Sequence, residues 1–260
     1  MAGKAFGETS HPCSYVPRGA TEATLAGLER CVLDTFGPVV LTAPPGMGKS
    51  TLLRVLGERL DVLLSPVYLP YGAMSPAELC DWIVGLVAAL DDGREPAETL
   101  RGHAEALRRE GRSLLVLIDD ADSLPDETAR MVGSWIEETN GDICPVLAAC
   151  EGAATERLVA ATGPGTVKVS LCEPMSARET RLYVEYHLER AGVALDLCER
   201  FDAATVDWIF RRSGGVPRLV GELALRVIDP HLGDFEVEWS AETLIGEDSD
   251  DRPPEELKQD

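Results

Sequence analysis

The sequence predicts an α/β fold, a parallel sheet covered by helices on both faces and followed by a small helical lid. Three observations predict it. Short apolar runs alternate with helical patterns through the first two thirds of the chain, as parallel strands joined by crossover helices do. The run Leu114–Ile118 is apolar at every position, the signature of a strand buried on both faces. From residue 176 onward helical patterns follow one another with no strand between them.

The predicted strands cover 38–43, 63–69, 113–119, 143–149 and 166–171. Helical spacing fills 21–35, 49–60, 75–91, 96–110 and 125–139, with a shorter pattern near 152–161. The lid opens with "SARETRLYVEYHLERAG", in which Ser176 and Glu179 make a capping box and Gly192 a stop. Two further helical patterns lie at 202–213 and 216–229. The expected organisation is an α/β domain over 1–175, a lid over 176–235 and an acidic, proline-containing tail over 236–260, too polar to pack a core.

Composition narrows the function classes. Of the net charge of −21, residues 236–260 carry −8, leaving −13 on the rest. A DNA-holding protein usually shows a basic stripe, and none is visible, so DNA is not the expected partner. The run "IVGLVAAL" falls short of the roughly 18 apolar residues that span a bilayer, and the first 15 residues hold no apolar signal core. Seven scattered cysteines with no C-x-x-C pair, and only four histidines, argue against a zinc cluster and for a reducing cytoplasm.

The chemistry concentrates in "VVLTAPPGMGKSTLLRVL", residues 39–56. A strand, a glycine loop and a helix N-terminus in that order cradle phosphate: backbone N–H groups and the helix dipole face the anion. The residues expected against the nucleotide are Pro45, Gly46, Met47, Gly48, Lys49, Ser50 and Thr51. Lys49 supplies charge and Ser50 a magnesium ligand, so ATP and Mg2+ are the implied cofactors. The pattern G-x-x-x-x-G-K-[ST] is complete except that Ala43 replaces its first glycine. About seventy residues on, "SLLVLIDDADSL" ends a buried strand in two carboxylates. Asp119 would hold magnesium and Asp120 would polarise the attacking water, which makes Asp120 and Lys49 the expected catalytic groups.

With these motifs in place the chain resembles the AAA+ ATPases, P-loop NTPases with a helical lid. More narrowly it resembles the general secretion pathway A type and the related transposition ATPases. The resemblance covers about residues 12–230 and rests also on "EPMSARETRLYVEYHLERAG" and "SGGVPRLVGELALRVI". It implies that Arg218, after the turn Gly214-Gly215-Val216-Pro217, is a sensor-2 arginine that binds the nucleotide and takes part in catalysis. Three positions depart from the family pattern. Asp120 stands where glutamate is common. The fourth strand ends in Cys150 and Glu151, with no neutral polar sensor residue. Before the fifth strand there is no arginine to reach a neighbour's nucleotide, and Arg157 and Lys168 are the nearest cations.

The expected function is therefore an AAA+ type ATP-binding protein, a weak or partner-stimulated ATPase that remodels or recruits a protein partner. The resemblance also admits a homo-oligomer. A non-hydrolysing nucleotide-dependent scaffold or switch is the first alternative, a transposition or DNA-targeting ATPase the second. A P-loop kinase is disfavoured by the sensor-2-like segment.

Overall fold

The computed structural model describes residues 6, 11–34, 37–87 and 94–229. The expected tail at 236–260 lies outside them, as do the ends of the helical pattern at 75–91 and of the lid. The chain divides into two compact units, Ser10–Glu173 and a second built from Pro174 onward together with the N-terminal residues through Thr9.

In the first unit five parallel strands, β1 (Val39–Ala43), β2 (Leu64–Leu69), β3 (Ser113–Ile118), β4 (Ile143–Cys150) and β5 (Val167–Ser170), form one sheet in the order β2-β3-β4-β1-β5. The helices are α1 (Gly19–Asp34), α2 (Lys49–Leu60), α3 (Pro76–Leu86), α4 (Pro96–Arg109), α5 (Asp126–Glu138) and α6 (Ala153–Thr162). Alternation along β3 sorts the layers. Leu114, Val116 and Ile118 join a core with Leu79, Ile83, Leu100, Val132 and Trp135 from α3, α4 and α5. Leu117 points the other way, to α2, where a Cβ on Gly57 would lie 3.0 Å from its Cδ1.

Two prolines sit in strands where their missing N–H does no harm. Pro66 lies in β2, an edge strand. Pro145 lies in the central strand β4, but β4 pairs with β1 only from Val146, opposite Val39, so the proline precedes that ladder. Helix starts follow the sequence signals. Ser75 caps α3 with Glu78 returning the bond, and Pro76 occupies the first turn, where no N–H is needed.

The second unit packs α7 (Ala177–Arg190), α8 (Leu195–Cys198), α9 (Ala203–Ser213) and α10 (Pro217–Ile228). The Ser176–Glu179 capping box is formed, with Ser176 N donating to Glu179 Oε2 at 2.8 Å. Gly214 and Gly215, both at positive φ, turn the chain from α9 into α10. Phe6 is buried against this unit, its ring 5.5 Å from that of His187, and its Cβ lies 3.6 Å from where a side chain on Gly221 would begin.

Candidate functional site

Strands of a parallel sheet all end on one side, and ligands of open α/β sheets bind beyond those ends. β3, β4 and β1 are neighbours, so Asp119, Cys150 and Ala43 come to that edge together, with outer strands about 10 Å apart. The loop after Ala43 is shaped by its glycines. Gly46 has φ 79° and Gly48 φ 95°, and Gly48 is the N-cap residue of α2. No side-chain oxygen caps that helix, so its first N–H groups face the loop as an anion site would require. Met47 is buried and anchors the loop beneath; Pro45 is exposed, and Ser50 and Thr51 are half-buried at the start of α2.

Lys49 is 8% exposed, and a buried ammonium needs acceptors. It donates to Ala43 O at 3.2 Å, to Pro44 O at 3.5 Å and to Cys150 Sγ at 3.1 Å. Cys150, at the end of β4, thus occupies the place beside the phosphate loop where the sequence sought a polar sensor. Its carbonyl in turn accepts from Thr155 Oγ1. The cations nearest to an expected inter-subunit role are engaged at home. Arg157 Nε pairs with Asp126 at 3.2 Å and Lys168 Nζ with Glu156 at 2.9 Å.

The two carboxylates after β3 differ sharply. Asp119 is 4% exposed. Its N–H donates to Leu69 O at 2.9 Å, extending the β2–β3 ladder by one bond. Its Oδ2 accepts from Tyr68 Oη at 2.8 Å and its Oδ1 from Asp120 N at 3.1 Å. Burial, and then the Asp119 charge, push the Tyr68 hydroxyl up to about 12, so it stays a donor at neutral pH. Asp120 is exposed and left-handed, φ 46° ψ 40°, and opens a 3-10 turn, Ala121–Ser123, whose Ser123 Oγ donates to Asp120 O at 2.6 Å. That turn is tightly backed: a Cβ on Gly72 would come within 3.0 Å of Asp120 O.

The residues present fit ATP·Mg2+. Positive-φ glycines and an uncapped helix end suit phosphate, and the Ser50 hydroxyl with the Asp119 carboxylate gives the oxygen donors that Mg2+ prefers. Arg218 is the second residue of α10, in the other unit. Sequence reasoning missed Tyr68 and the stacking of Arg54 on its ring, 4.3 Å from guanidinium carbon to ring centre. The available signal was Arg54 four residues after Ser50, on the same face of α2.

Residues 33–158 match the family model of an AAA domain. Over those residues the α/β unit is similar to an AAA domain. Solved structures of AAA+ fold agree with it. The ORC1 protein of Aeropyrum pernix, in complex with DNA, superposes with a TM-score of 0.61 at 18% identity, over 87% of this chain and 63% of that one. The ORC2 protein of the same organism, in ADPNP–ADP complexes, gives 0.57 at 17% identity, over 87% and 71%. Drosophila ORC bound to DNA gives 0.55 at 20%, over 80% and 63%. The chain spans less than two thirds of the ORC1 and Drosophila ORC chains. No curated protein sequence matches it. Among the described residues, no helix is long and apolar enough to cross a membrane.

Proposed function

We propose that this chain is an AAA+ type protein that binds ATP·Mg2+ between the β1–α2 loop and Asp119, hydrolyses it slowly, and uses the change to remodel or recruit a protein partner. The observation that carries the reading is the convergence of Lys49, Cys150 and Asp119 on one edge of three adjacent strands, beside a positive-φ glycine loop. In this reading Gly46, Gly48 and the first N–H groups of α2 hold the phosphates. Lys49 exchanges its loop carbonyls for phosphate oxygens, while Ser50 and Asp119 hold the metal. Bound Mg2+ supplies charge neutralisation on the phosphates. Asp120, exposed at the sheet edge, accepts the proton of the attacking water.

The test is a calorimetric titration of Lys49→Ala with ATP and Mg2+. Loss of a charged hydrogen bond costs about 1.5–3 kcal/mol, roughly 10- to 150-fold in affinity. Equal affinity in variant and parent would remove the site.

Two other readings have an observation each. The pairing of Arg157 and Lys168 within the chain, together with Cys150 at the sensor position, favours a nucleotide-dependent scaffold that hardly hydrolyses. Fast phosphate release by the isolated chain would exclude it. The DNA complexes of ORC1 and Drosophila ORC favour a DNA-targeting ATPase, against the −21 charge of this chain, which repels a polyanion. A gel shift at physiological salt that tightens with ATP would establish that role in place of ours.

A further inference from the structure

Tyr68 belongs to no nucleotide motif, yet its hydroxyl is committed to the buried carboxylate of the site. Each oxygen of Asp119 has its own fixed donor, Tyr68 Oη on Oδ2 at 2.8 Å and Asp120 N on Oδ1 at 3.1 Å. Rotating the carboxylate would break both bonds. The donor is itself held. Tyr68 is paired in register with Leu117, and the Arg54 guanidinium covers its ring at 4.3 Å. Arg54 rises from α2 one turn beyond Ser50, so one helix carries both the proposed hydroxyl ligand and the clamp on the ring that orients the proposed carboxylate ligand. Donors behind a ligating carboxylate fix which lone pairs remain for the metal, and their loss typically weakens metal binding 10- to 100-fold.

The geometry points to Tyr68 as the positioning residue that presents Asp119 to a divalent cation, with Arg54 holding Tyr68 in place. This rests on Asp119 being the metal ligand of the proposed nucleotide site, and it adds a residue-specific consequence. Only the metal-dependent part of nucleotide binding passes through Tyr68.

The experiment uses the full chain and a fluorescent ATP analogue, titrated once in EDTA and then over a range of Mg2+ concentrations. Tyr68→Phe keeps the ring under Arg54 and removes only the hydroxyl. Its affinity in EDTA should equal that of the parent, while the Mg2+ concentration for half-maximal tightening rises about tenfold. Arg54→Ala should shift the same curve in the same direction by less. A Tyr68→Phe curve superimposable on the parent's would overturn the assignment. So would an equal loss with and without Mg2+, which marks general damage rather than positioning. A parent that binds the analogue indifferently to Mg2+ would instead dismiss Asp119 as a metal ligand, and one that binds no analogue would dismiss the nucleotide site; the role of Tyr68 falls with either.

Discussion

Gly48→Ala separates the cost of folding from the cost of binding. Gly48 caps α2 at φ 95°, ψ 25°, a conformation that costs an L-residue roughly 1–2 kcal/mol. A Cβ placed there meets nothing within 4 Å, so no clash adds to the strain. For a domain of this size that cost lowers Tm by about 2–8 °C, and the variant should remain folded. Binding should suffer far more. The empty space above the residue is where the proposed phosphate sits, and a methyl group there holds the anion off the N–H groups that bind it. A loss of about 100-fold in ATP affinity is expected, near 2.7 kcal/mol. Gly111→Ala is the matched control. Gly111 also has positive φ, 75°, and open space around it, but it precedes β3 at the opposite edge of the sheet. Calorimetry with ATP·Mg2+ and thermal melts on both variants give the answer. If Gly48→Ala melts lower but binds within about threefold of the parent, the space above Gly48 is not the anion's seat.

Three further outcomes follow from the same geometry. Gly215→Ala should unfold the lid unit, because its Cβ would overlap Met175 O at a positive φ of 77°; a cost of about 3 kcal/mol or more is expected, and an unchanged melt would contradict the tight turn before α10. Asp120→Asn should stop phosphate release yet leave Tm within about 2 °C, since asparagine tolerates the left-handed region as aspartate does; release unchanged from the parent would dismiss Asp120 as the base. Glu22 is held below its ordinary 4.5 by hydrogen bonds from Arg59 and then from Tyr15. A depressed carboxylate stabilises the fold above its unfolded pKa and loses that contribution as pH falls through the folded value. Glu22→Gln should therefore melt lower than the parent at pH 7 and converge with it as pH falls through the lowered folded value, whereas a gap that widens in acid would refute the pairing.

What was legible in the sequence is what local rules control. The strand of five apolar residues ending in two aspartates is found at Ser113–Ile118, and the glycine loop before Lys49 lies between β1 and α2 as its spacing required. The Ser176–Glu179 capping box sets the start of α7. Single-turn elements were not legible. The helix Leu195–Cys198 and the 3-10 turns at Pro12–Ser14 and Ala121–Ser123 are too short to show a period. Nor was the Tyr68–Asp119 contact, because it depends on the register between strands about fifty residues apart, which no local pattern encodes.

The least legible feature bears most on the proposed chemistry. "DDADS" contains no glycine, so nothing in it announces the positive φ of Asp120. The conformation is set from outside. The Asp119 carboxylate accepts Asp120 N, Ser123 closes on Asp120 O, and Gly72 leaves just enough room behind that carbonyl. Aspartate is among the few residues that occupy the left-handed region at small cost, and glutamate is not. The shorter acid that departs from the family pattern is thus the one this turn accommodates. Its reach and its backbone must be considered together: lengthening the side chain to glutamate trades about one methylene of reach against strain in the turn that also fixes Asp119. The departure at residue 120 is therefore a local fit between a side chain and its turn, and a gain in turnover on Asp120→Glu would mean that reach outweighs that fit.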